Sequence, residues 1–506
     1  MLDWSQPILY CTSVMRVIIV AAFRAWCPRI YNTSASGSVS KTETGSMNLR
    51  DASAFSGKPD SCRTNSAHWP AALAKAPHSW LMVAALLSFS MWYYVDRVWA
   101  PPVDIHFSDL YPRWYGAREL LLRGSDPYGP TVTRGIQVWS YGRPVNPTDP
   151  REPKDEDRFT YPVYMAFLLA PTVHFRFEIV QRIFSVLLPL LAFAAVPLWL
   201  LMLGWRPSRP ILGALLLLSF TSFPVLESIY VQQPVLLAAA LLAGACAALS
   251  RGHLRFAGAL LALATIKPQL CALLVLWLMV WAFSDWRCRR TFAWGFGITM
   301  ILLAGGSEIL VPGWIGEFSE AIQAYPLYTG NASILTLWFG KIGGEIAAAV
   351  IPAAVMFLAA RLRHRPAESP EFHYVLCSIL ATTLVIIPTI YPTGQVVLLP
   401  AQLLLLRDFQ KIWRLGSALR LAYFAVASLI AWPWVSSLVF MFTAWVRPVS
   451  ELRKLWIVPV SSIPLIPFST LLLFGLMVAH CSKPAPLRKQ EFPFPDDSEP
   501  IGTARR

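Results

Sequence analysis

The sequence predicts an all-α polytopic membrane protein with about twelve transmembrane helices. Three observations carry that reading. Apolar runs of about 18 or more residues recur along most of the 506-residue chain. Hydrophobic residues make up 55% of it and charged residues only 14%, against about 25% charged in a soluble domain. The 21 Trp and 16 Tyr suit the aromatic belts that hold helices at both membrane–water boundaries. The formal net charge of +14 does not point to nucleic acid. The basic residues sit mostly in short loops between apolar runs, where they set topology.

Residues 1–78 read as a largely disordered N-terminal segment. The apolar stretch at 14–23 is short and broken by Arg16, and residues 31–67 are rich in Ser, Thr, Gly, Asn and Lys. No small-residue cleavage site stands out, and Met47 is a second candidate start. The polytopic unit follows at 79–482. Crossings are expected near 79–98, 179–203, 210–227, 233–250, 255–266, 269–284, 290–312, 343–361, 372–390, 394–406, 418–440 and 457–479. Residues 483–506 are polar and Pro-rich and read as a flexible cytoplasmic tail.

The loops with Arg206/Arg209, Arg251/Arg255, Arg287/Arg289/Arg290, Arg361/Arg363/Arg365 and Arg407/Lys411/Arg414 alternate with poorly charged ones. The positive-inside rule puts the basic set and both termini in the cytoplasm of a plasma (inner) membrane protein. The loop around Arg447, Arg453 and Lys454 breaks the alternation. The apolar segment 161–175 is short for a crossing, and a crossing there would send every later basic loop outside. It therefore reads as interfacial.

It then belongs to one long outer loop, 99–177, with two interfacial helices. In the first, 108–123, Leu110, Trp114, Ala117 and Leu121 share a face, Asp109 opens the helix and Gly124 closes it. The second is Tyr161–Phe175. Between them, 126–158 holds turn residues and many charges.

Lys267 is the lone charge in the apolar stretch 256–283. A lysine at mid-membrane costs roughly 2.5–3.5 kcal/mol. Pro268 lacks an N–H and breaks the helix, so the stretch reads as two short helices meeting at a positively charged turn on the outer side. Such a turn suits an anionic head group such as a lipid phosphate.

Asp109-LYPRWYGARELLLRGSDPY and Phe159-TYPVYMAFLLAP resemble the outer loop of glycosyltransferase family 87. The stretch from Glu227 to Pro268 and the segment Gly330-NASIL resemble later sections of that family, so the likeness spans roughly 79–410. The resemblance implies a GT-C-like fold and transfer of a sugar, mannose-like, from a polyprenyl-phosphate donor to a glycolipid or glycan acceptor at the outer face. It also implies an acidic general base in the first outer loop, which falls on Asp109. One departure concerns a Trp and His pair at the outer end of a late span. Here residues 388–395 read PTIYPTGQ, without histidine.

The residues themselves supply a minimal kit for this chemistry: a carboxylate to accept a hydroxyl proton and cations for the leaving phosphate. Asp109 is the candidate base, although aspartate is also a favoured helix N-cap. Lys267, Arg113 and Arg118 are candidates for donor phosphate, although each also suits a lipid surface. Tyr128, Tyr161, Gln233, Gln269 and Asn331 are candidates for sugar or acceptor, or belong to the aromatic belt and helix caps. Glu227 is a candidate partner for a cation. Asp104, Asp126 and the run Glu152, Asp155, Glu156 and Asp157 are rival bases with simpler readings as turns or solvated loop. No Cys/His cluster has metal-ligand spacing and no Gly-rich nucleotide loop occurs, so no cofactor is assigned; the need for a metal stays open. The expected partners are the lipid-linked donor, the glycolipid or glycan acceptor and the bilayer. A transporter or lipid flippase, and a glycan ligase or polymerase, remain as other readings of the same kind of chain.

Overall fold

The computed structural model describes residues 77–100, 108–146, 149, 156–329, 333–388, 391–414 and 416–482. The segment 1–78, apart from its last two residues, and the tail 483–506 lie outside the described residues. So do Asp104, Glu152, Asp155 and Asn331. Helices and turns account for the described residues, and no strand occurs among them.

Helix α1 (Pro77–Tyr94) continues through a π-turn at Val95–Trp99. Three helices then form in the loop: α2 (Leu110–Arg123), α3 (Pro130–Tyr141) and α4 (Met165–Leu169). Helix α2 matches the expected one. Gly124, at φ 65°, ends it: its N–H donates to the Leu120 carbonyl at 3.0 Å, and Ser125 N donates to the Glu119 carbonyl at 3.1 Å. Helix α3 lies where only turns and charges were read. Pro130 opens it, Gly142 closes it at φ 74°, and Val132 and Ile136 are buried. Helix α4 is five residues long, followed by a 3₁₀ turn at Ala170–Thr172, where a helix over 161–175 was expected. Pro162 and Pro171 supply no amide donors, which explains the shortening.

The loop packs down on the bundle. Leu110, Trp114, Phe159, Tyr161, Tyr164 and Met165 share one hydrophobic core with Val180, Phe184 and Leu188. Burying each large apolar side chain contributes about 1.5–3 kcal/mol, so this cap is held by its own packing.

Helices α5 (Phe177–Met202), α6 (Arg209–Phe220), α7 (Phe223–Tyr230), α8 (Val235–Ser250), α9 (Leu254–Ala264), α10 (Pro268–Phe283) and α11 (Trp286–Leu310) follow. After them come α12 (Trp314–Thr329), α13 (Ile334–Arg361), α14 (Pro370–Ile386), α15 (Leu399–Arg407), α16 (Phe409–Arg414) and α17 (Ser417–Thr443). The stretch Ile457–Cys481 completes the described bundle. Helices α5, α11, α13 and α17 and that last stretch make five elements long and apolar enough to cross a membrane. The pair α6 and α7, bent by 52°, makes six if it is one span. Helices α8, α9, α10 and α14 are apolar but shorter. Among the described residues length and composition thus give five or six spans, and the twelve expected is a finer count.

Glycines set one close helix contact. A side chain on Gly258 of α9 would strike the Phe292 carbonyl, and one on Gly295 of α11 would strike the Arg255 carbonyl. Small residues at such crossings let backbones approach.

The two ends of α10 differ. Lys267 precedes its first residue. Beyond its last turn, Arg289 donates to the Trp281 and Arg363 carbonyls at 2.9 Å each and lies over the Trp281 ring at 4.0 Å. A 16-residue helix separates the two, about 24 Å.

Candidate active site

Two turns build the site. The first joins α7 to α8. Its Gln232 sits in the left-handed region at φ 54°, a conformation that costs a non-glycine residue about 1 kcal/mol or more. Bonds on every side hold it there. Ser108 Oγ donates to Gln232 Oε1 at 2.8 Å, Gln232 Nε2 donates to the Gln181 carbonyl at 3.0 Å, and Asp109 N donates to the Val231 carbonyl at 2.8 Å. The start of the outer loop is thereby tied to the bundle beside Gln233. The second turn joins α9 to α10. Lys267 adopts φ −120° and ψ 77°, and Pro268 starts the next helix. The pair of short helices meeting at a charged turn is what the sequence led us to expect.

Gln233 joins the two turns. Its Nε2 donates to Asp109 Oδ2. Its Oε1 accepts from Lys267 Nζ at 2.7 Å and from the Tyr161 hydroxyl at 3.1 Å. Lys267 Nζ also donates to the Tyr391 hydroxyl, and it stands 5.4 Å from the Tyr161 ring centre and 4.9 Å from that of Tyr391. Lys267 is only 3% exposed. The Asp109 carboxylate makes no capping bond to α2. The N-cap alternative therefore does not describe how this side chain is used.

Arg113, one turn into α2, brings a second cation. Its guanidinium lies 4.8 Å from the Tyr161 ring centre, and its buried Nε has no hydrogen-bond partner. Burial opposes its charge, but Tyr161 and Asp109 more than offset this and raise its pKa above the ordinary arginine value. Burial also raises the Tyr161 phenol well above its usual range, with Arg113 pulling the other way. Two basic side chains and a carboxylate thus gather around a shared tyrosine, a set of groups that suits an anionic ligand.

The remaining candidates scatter. Tyr128 donates its hydroxyl to the Tyr161 carbonyl at 2.6 Å and meets Phe159 edge-on, so it braces Tyr161 from behind. Arg118 lies over the Trp114 ring at 5.2 Å and contacts none of Asp109, Gln233 and Lys267 among the described residues. Gln269 is exposed on the first turn of α10. Asn331 lies outside the described residues. Of the rival bases, Asp126 accepts from Tyr128 N at 2.9 Å in the expected turn, Glu156 takes Arg158 Nε at 2.6 Å and Asp157 takes the Ser140 hydroxyl. Among the described residues Glu227 has no cation partner, and its Oε2 is buried without a hydrogen bond.

Tyr391 is the residue that sequence reading missed. It lies in the 388–395 segment noted for lacking histidine, and its hydroxyl contacts Lys267 from across 124 residues. The missing histidine pointed to the segment. A lone tyrosine in a chain rich in belt aromatics gave no further sign.

Helix α12 covers the outer-loop side. Trp314 meets Tyr164 edge-on at 5.7 Å, and the Tyr164 hydroxyl donates to the Thr265 carbonyl at 2.8 Å, two residues before Lys267. Among the described residues no group of three or more His, Cys, Asp or Glu is placed to hold a metal ion.

No curated protein and no solved structure was found to match this chain. Residues 159–388, which contain Tyr161, Gln233 and Lys267, match the model of glycosyltransferase family 87, and this match bears out the resemblance read from the sequence.

Proposed function

We propose that this protein transfers a mannose-like sugar from a polyprenyl-phosphate donor to a glycolipid or glycan acceptor at the outer face of the plasma (inner) membrane. Asp109 is the general base. It takes the proton from the acceptor hydroxyl as that oxygen bonds to the sugar's anomeric carbon, and the bond to phosphate oxygen breaks. Such help supplies about 10²–10⁴-fold in rate. Lys267 and Arg113 meet the charge that grows on the leaving phosphate. Tyr391 assists Lys267 there.

One observation carries this reading: Asp109 and Lys267, 158 residues apart in the chain, are bonded to opposite ends of the same amide, that of Gln233. A base and a cation held within one side chain's length suit a displacement in which a hydroxyl loses a proton and a phosphate leaves. The orphaned, buried Nε of Arg113 supports an anion at the same place. The arginine-rich loops at the far end of α10 support an outer position for the cluster, with both termini cytoplasmic. The same topology keeps 99–177 outside and counts twelve crossings, the short apolar helices included.

The test is transfer of labelled mannose from synthetic polyprenyl-phosphate mannose in proteoliposomes. Donor-dependent product that disappears with Asp109→Asn is expected. Donor left intact by the wild-type protein, or equal turnover by the variant, refutes the proposal.

A further inference from the structure

Glu227 is the ionisable side chain near the site that the reading above leaves without work. It lies in α7, the second half of a bent apolar pair, and its Oε2 is buried with no hydrogen-bond partner among the described residues. A carboxylate oxygen in apolar surroundings without a donor costs folding free energy. An ionisable residue kept at membrane depth marks a functional position by default.

Its position is set by two backbone bonds. Val231 N donates to the Glu227 carbonyl at 2.9 Å, and Asp109 N donates to the Val231 carbonyl at 2.8 Å. Glu227 thus sits one helical turn from the peptide that bonds to Asp109 N. Lys267 is joined to Asp109 through Gln233. Tyr230, three residues on, shares a face of α7 with Glu227 and meets Trp99 edge-on at 5.4 Å; both rings are partly exposed.

We propose that Glu227 binds the acceptor: its carboxylate accepts a hydroxyl hydrogen bond from a sugar or polyol head group, which the Tyr230–Trp99 pair flanks with apolar surface. The assignment rests on the transferase reading and divides the site along one line. Cations hold the phosphate end, Asp109 takes the proton in the middle, and Glu227 holds a neighbouring hydroxyl of the nucleophile. In the transfer step the acceptor O–H bond breaks and its proton passes to Asp109. The acceptor oxygen bonds to the anomeric carbon, and the phosphate departs with the electron pair of the broken bond.

The test uses the full chain in nanodiscs, polyprenyl-phosphate mannose as donor and hexyl α-D-mannoside as acceptor probe. Glu227→Leu removes the unpaired carboxylate and keeps an apolar body, so its melting temperature is expected to rise. Its KM for the mannoside is expected to rise about 10-fold or more, with kcat at saturating mannoside changed far less. Glu227→Gln retains an acceptor oxygen and is expected to fall between. A Glu227→Leu protein that melts higher and keeps the wild-type KM for the mannoside overturns the proposal. So does a wild type that binds donor and never glycosylates the mannoside. Failure of the wild type to bind donor is a different result, because it removes the transferase reading itself.

Discussion

Asp109 and Lys267 are linked through a single amide: Gln233 donates to the carboxylate and accepts from the ammonium at 2.7 Å. A direct ion pair would tie up the carboxylate and weaken it as a base. The intervening amide holds both side chains in one place without pairing them directly.

Asp109→Asn is expected to lower kcat by about 10²–10⁴-fold while the melting temperature barely moves. The reason is that the side chain does not cap α2. If the residue served as a cap, replacement by Ala would instead cost about 0.5–2 kcal/mol of stability and leave turnover intact. Kinetics and melting curves on both variants separate the two roles.

Tyr391→Phe removes the hydroxyl that meets Lys267 and leaves the ring in place. The donor KM is expected to rise about 10-fold. Lys267→Met deletes the charge and is expected to cost more, in kcat as well as KM. Donor titrations at fixed acceptor measure both.

The crossing of α9 and α11 depends on absent side chains. Gly258→Ala forces its methyl into the Phe292 carbonyl, and the backbones must part. A loss of about 1–3 kcal/mol is expected in reversible unfolding in detergent. Gly297, with open space around its Cβ position, is the control, and Gly297→Ala is expected to be nearly neutral.

Glu317, on α12, has its carboxyl pKa raised, first by loss of hydration and then by the neighbouring Asp126 carboxylate. A raised acid pKa means the folded chain favours the protonated form. Its stabilising contribution is complete below the ordinary carboxylate range and fades as pH rises through the raised value. The docking of α12 is therefore expected to loosen as pH rises above about 4, read as faster amide exchange in α12. Glu317→Gln is expected to flatten that dependence.

Much of this arrangement was legible in the residues. Pro268 after Lys267 gave the charged turn, and Gly124 gave the end of α2. Residue type and position alone put Asp109 and Lys267 forward for the same chemistry. Other parts were hidden for physical reasons. Helix α3 carries its apolar Val132, Ile136 and Trp139 among turn residues and charges, which masked a spacing of four and three. The segment at 161–175 looked helical by composition, but Pro162 and Pro171 cut it to five residues. The role of Gln233 as a bridge and of Tyr391 as a lysine partner depends on which helix ends meet, and no local pattern encodes that. Arg118 shares α2 with Arg113 but turns to Trp114, a difference of helical phase between two otherwise similar arginines.

The most direct measurement is a cryo-EM structure of the protein in nanodiscs with a non-hydrolysable polyprenyl-phosphonate mannose. The phosphonate is expected within hydrogen-bond distance of Lys267 Nζ and Arg113, with the anomeric carbon facing Asp109 and the prenyl chain in the outer leaflet. A head group bound elsewhere, or Asp109 and Lys267 found at opposite faces of the bilayer, would contradict the assignment.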